Sequence, residues 1–160
     1  MKSPVNQNRS DRNFQDLMLH RIHDILLVAS PYDAFILEED GRLTEQILHE
    51  YLGMNLSYAP RVWQANTASY AMDLLSRRSV DLVIVMMRIS DMDLITFGTS
   101  VKEKYNNKPI ILLAFDESEI KQLPENQDQF IDNVFVWTGN SSVFPAIIKY
   151  IEDSKNVKRD

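Results

Sequence analysis

Apolar residues along this chain gather into five short runs separated by longer amphipathic stretches. Residues 25–28 (ILLV), 82–87 (LVIVMM) and 110–114 (IILLA) are continuous apolar runs, the pattern of strands buried on both faces. Residues 61–65 (RVWQA) read as a half-buried strand and 134–137 (VFVW) as a fifth. Helical signals lie between them. Ser30-Pro31 offers an N-cap hydroxyl followed by proline at the first helical position, with Asp33 in the first turn; this predicts a helix running to about Leu52, adjusted near Gly41. Thr67 caps a helix carrying Tyr70, Ala71, Leu74 and Leu75. Residues 91–105 form the next, with Leu94, Ile95, Phe97, Val101 and Tyr105 at its apolar positions. A short helix near 117–123 is ended by Pro124, and Ser142 caps a last one bearing Val143, Phe144, Ile147, Ile148 and Ile151. Ahead of the first strand, Phe14, Leu17, Met18 and Arg21 follow helical spacing and predict a short N-terminal helix over 13–21.

Strands alternating with helices through short crossovers force parallel pairing and right-handed connections. The expected fold is therefore α/β: a three-layer, doubly wound, five-stranded parallel sheet of order 2-1-3-4-5, with a short extra N-terminal helix. Residues 13–153 are expected to form one domain, 1–12 a disordered tail, and 154–160 a charged tail or linker.

Composition narrows the function. The length of 160 residues suits one domain. The net charge of −6 argues against nucleic acid, whose phosphates demand a basic surface, and against anionic membrane. No apolar run approaches the ~20 residues of a transmembrane helix, and the N-terminus carries no apolar signal-peptide core. Without cysteine there is no disulfide, thiolate nucleophile or zinc–thiolate site, and a cytoplasmic location is expected. The four glycines, Gly41, Gly53, Gly98 and Gly139, are dispersed, so neither a P-loop nor a dinucleotide fingerprint can be built, and no cofactor is expected.

The stretch VWQANTASYAMDLLSRRSVDLVIVMMRISDMDL, with the final FPAIIKYIED, resembles the receiver domain of two-component response regulators, a flavodoxin-like fold. The resemblance covers about residues 24–153. It implies four groups at the carboxyl ends of the strands: an acid pair for Mg²⁺, an aspartate that accepts the phosphoryl group, a hydroxyl that senses it, and a lysine that pairs with it. Those positions fall here on Ala29-Ser30, Met86, Ala114 and Trp137 (Thr138 if the register slips by one). All depart from the pattern. A thioether accepts no phosphoryl group, and soft sulfur is a poor ligand for Mg²⁺. The expected result is a degenerate pocket filled by packing.

Several neighbouring groups are candidates to substitute for the missing ones. Asp91 and Asp93 read as caps of the helix that follows them. Asp33, Glu38, Glu39 and Asp40 form an acidic patch that could be a displaced Mg²⁺ site; the favoured reading is a first-turn acid and a solvated face. His20 and His23 lack a third metal ligand and read as surface positions. Tyr32 and Phe35 read as core or rim rather than a ligand platform.

A narrower similarity joins SPYDAFILEEDGRL and FVWTGNSSVFPAIIKYIED to the amino-terminal receiver-like segment of bacterial proteins related to phosphoenolpyruvate synthase and pyruvate phosphate dikinase. It implies an amino-terminal piece of a larger phosphotransferase with its ATP chemistry elsewhere. Three functions are thus in play: a non-catalytic receiver-like regulatory or interaction domain, such an enzyme fragment, and a small-molecule sensor with its crevice beside Trp137. Expected partners are another protein or other domains of the same chain, with a homodimer through Phe144, Lys149 and Tyr150 as one form.

Overall fold

The computed structural model describes residues 21–39, 42–50, 59–139 and 142–159. Its elements are β1 (Asp24–Val28), α1 (Pro31–Glu39), α2 (Leu43–Glu50), β2 (Arg61–Ala65), α3 (Ala68–Arg77), β3 (Leu82–Val85), α4 (Leu94–Lys104), β4 (Ile110–Ala114), α5 (Glu117–Ile120), a 3-10 turn (Gln127–Gln129), β5 (Asn133–Val136) and α6 (Val143–Arg159). The strands form one parallel sheet in the order 2-1-3-4-5, as the alternation predicts.

Strand period divides the core in two. Ile25, Leu27, Ala29, Leu82, Ile84, Met86, Ile111 and Leu113 face one side, covered by Ala34 and Leu37 of α1, Leu43 and Ile47 of α2, and Phe144, Ile147, Ile148 and Ile151 of α6. Leu26, Val28, Val83, Val85, Ile110 and Leu112 face the other, under Ala71, Leu74 and Leu75 of α3, Phe97 and Val101 of α4, and Phe130. The central strands are apolar at every position because both faces are covered. Phe130 approaches α4 so closely that a Cβ on Gly98 would lie 2.8 Å from its carbonyl oxygen. Glycine at 98 is a packing requirement.

The structure departs from expectation in local ways. The single helix expected from Pro31 to about Leu52 is two, α1 and α2, and Arg42 adopts a left-handed φ of 53° just before the second. Arg42 N–H still donates to Glu38 O (3.1 Å) and the Glu38 carboxylate accepts Thr44 N–H (3.3 Å), so the end of α1 is joined directly to the start of α2. α4 begins at Leu94 rather than 91, because Asp93 stands in extended conformation as its cap. α5 is one turn and continues only as turns to Leu123. β3 ends at Val85 and β5 at Val136, each earlier than the apolar run. The charged tail expected from 154 is helical as far as Arg159. Tyr70 and Ile95, read as apolar helix positions, project outward. The expected helix over 13–21 and tail over 1–12 lie outside the described residues except Arg21, which is not helical.

Candidate functional site

In a parallel sheet every strand ends at the same edge, and the helices that follow begin there. Register brings the expected pocket residues to that edge. Val28 pairs with Val85, so Ala29 and Met86 leave the sheet side by side, with Met86 N–H donating to Val28 O (3.0 Å). Trp137 N–H donates to Ala114 O (2.7 Å). Ala29, Met86 and Ala114 are buried. Ala29 and Met86 share one apolar cluster, against which half-buried Phe115 and Trp137 pack. Ala114 belongs to the opposite parity of β4, with Ile110 and Leu112, and Thr138 is exposed. Ser30 Oγ accepts Asp33 N–H (3.1 Å) and is spent as the N-cap of α1.

Asp33 is not the solvated first-turn acid expected. It is 1% exposed, the one buried charged residue among those described. Arg88 holds it side-on: Nη2 donates to Oδ1 (2.7 Å) and Nε to Oδ2 (3.3 Å). The Arg88 side chain is 59% exposed, and its guanidinium carbon lies 5.7 Å from the centre of the Phe115 ring. Burying a carboxylate is costly unless it is paired and hydrogen-bonded; the fork of arginine meets that need in geometry that lysine lacks. Sequence reasoning missed Arg88. A pair separated by 55 positions leaves no periodic signal.

The other acids are also occupied. The Asp91 carboxylate accepts Ala68 N–H (2.7 Å) and Ser69 N–H (3.0 Å), so it caps α3 from another element instead of α4 as expected. Those two bonds hold its carboxyl below the usual carboxylate range. Asp93 caps α4 as expected, taking Thr96 N–H (2.8 Å), and is lowered by that bond and by the Thr96 hydroxyl. Of the acidic patch, Glu38 caps α2 and Glu39 is exposed, while Asp40 lies outside the described residues. His23 is exposed, and among the described residues no group of three metal-ligating side chains converges. His20 lies outside the described residues. Tyr32 (67% exposed) and Phe35 (61%) are rim residues of α1 and no part of the core. Phe144 is fully buried and is withdrawn from any pairing surface; Lys149 and Tyr150 are exposed, with the Tyr150 ring edge-on to Phe135 at 5.7 Å.

No protein-family model matches the chain, and no curated protein matches it in sequence. Solved structures do. The chain is similar to the signal receiver domain of an HD domain-containing protein from Pseudomonas fluorescens, with 21% identity over 87% of this chain and 93% of that one (TM-score 0.57). It is similar to a response regulator receiver domain from Clostridium thermocellum, with 14% identity over 85% and 98% (TM-score 0.62). It is also similar to the response regulator TrrA of Thermotoga maritima, solved in complex with Mg²⁺ and BeF, with 17% identity over 81% and 99% (TM-score 0.60). The fold is the flavodoxin-like fold of these receiver domains.

Proposed function

We propose that this chain is a receiver-like regulatory or interaction module that accepts no phosphoryl group and acts through a protein partner or other domains of its own chain. The observation that carries this reading is Met86. It follows β3 at the carboxyl edge, fully buried, in an apolar cluster with Ala29 and with Trp137 packed against it. Aspartyl phosphorylation needs a carboxylate oxygen as nucleophile and cationic help for the charge on the phosphoryl oxygens. Here the one buried carboxylate among the described residues, Asp33, is paired with Arg88. A small-molecule role finds less support, because Phe115 and Trp137 pack against the apolar cluster that holds Met86, at the edge where the crevice would be. The alternative of a phosphotransferase fragment rests on residues 30–43 and 135–153, whose described part includes the Ser30 cap of α1 and core positions of α6. Cytoplasmic location belongs to the same proposal; among the described residues no helix is long and apolar enough to cross a membrane.

The test is incubation with acetyl phosphate and Mg²⁺ followed by intact-mass measurement. The mass should stay unchanged. An added acyl phosphate, about 80 Da for one phosphoryl group, would overturn the reading.

A further inference from the structure

The segment from Met86 to Asp93 joins β3 to α4 and carries three charged residues, and each is fastened to a different helix. Arg88 reaches Asp33 in the first turn of α1. Asp91 takes the first two N–H groups of α3. Asp93 caps α4, its own successor. The base of the segment is tied as well, through Met86 N–H to Val28 O. Arg88 also lies over Phe115, on the connection after β4.

We propose that the β3–α4 segment is a fixed strap that couples the N-termini of α1, α3 and α4 and holds the carboxyl rim of the sheet in one state. Only two residues separate Arg88 from Asp91, so a displacement at one end is felt at the other. Around the strap stand the exposed rim residues Tyr32 and Phe35 on α1, Tyr70 on α3 and Ile95 on α4. A partner that reads this rim meets a preset surface and not one that is switched. The inference goes beyond the loss of phosphoryl acceptance, and its test uses no phosphodonor, so the two can fail separately.

The amides of α3 provide the readout. Ala68 and Ser69 N–H have no intrahelical acceptor, being in the first turn, and are held by Asp91. Tyr70 N–H is held locally by Thr67 Oγ1 (3.1 Å) and serves as an internal control. Hydrogen exchange by NMR is measured on the full chain, wild type and Arg88→Met. Arg88 touches neither α3 amide, yet its loss should speed exchange at Ala68 and Ser69 about tenfold, the scale of one charge-assisted hydrogen bond. Tyr70 should be unchanged. Arg88→Lys, which keeps the charge and loses the side-on fork, should move the same two amides in the same direction and decides the matter if Arg88→Met does not fold. Unchanged exchange at Ala68 and Ser69 would overturn the strap, as would a uniform rise at Tyr70 and throughout the core, which would mark a general loss of stability.

Discussion

At the scale of single residues, two constraints come from what surrounds a side chain: one at Gly98 and one at the Asp33–Arg88 pair. Gly98 sits in a helix interior, where glycine is intrinsically unfavourable. It is there because Phe130 packs backbone-close against α4. Gly98→Ala improves helix propensity and still should lower stability by about 1–3 kcal/mol, the usual cost of overpacking. A urea melt checks this; equal or greater stability would mean that the 3-10 turn and Phe130 yield easily. Asp33 and Arg88 form the other constraint. A buried ion pair is weak evidence of net stability, because desolvation opposes attraction. Its meaning is geometric: Arg88 donates to both oxygens of the Asp33 carboxylate and so ties the start of α1 to the segment after β3. The local signal for Asp33 was legible, since Ser30-Pro31-x-Asp33 marks a helix start. Its burial was not, because burial came from a residue 55 positions away.

At the scale of elements, helix starts carry much of the electrostatics. Asp91, Asp93 and Asp116 all sit below the usual carboxylate range. Asp91 is lowered first by Ala68 N–H, Asp93 by Thr96 N–H, and Asp116 by the Ser118 hydroxyl and then Glu119 N–H. A depressed folded pKa contributes stability that is complete above the unfolded value near about 4 and is lost as pH falls through the folded value. Glu152 on α6 has the opposite sign. Burial raises its carboxyl, while its bond from Ile22 N–H (2.8 Å), together with Arg21 and His23, pulls the other way and Asp153 adds to the rise. Its contribution is therefore greatest below the unfolded value near about 4.3 and is lost as pH rises through the raised folded value. Glu152→Gln should melt at a higher temperature than wild type at pH 7, with the gap closing at pH 4. Equal melting temperatures at pH 7 would show that the carboxylate is not penalised by its burial. Thr67, Asp93 and Ser30 were readable as caps because each lies directly before its own helix. Asp91 was misassigned for the same reason: it lies beside α4 in sequence and serves α3 in space.

At the scale of the whole molecule, the five strands and their order followed from short apolar runs alternating with amphipathic stretches, since central strands covered on both faces leave continuous runs. What the pattern blurred were ends. The break between α1 and α2 turns on a backbone reversal at Arg42 that hydrophobic spacing does not encode, and α5 is a single turn with none of its side chains buried. Of the expected pocket positions at the strand ends, the structure places Ala29 and Met86 together, with Trp137 against their cluster. The Arg88 strap was not, because it joins three elements that are distant in sequence.

The central claim, that this receiver fold holds no working phosphoryl site, meets its most direct test in an NMR titration of the full chain with Mg²⁺ and beryllofluoride together. The account predicts no saturable shift at the amides of Ala29, Met86, Arg88 or Trp137. A saturable change at those amides that requires both components would contradict it.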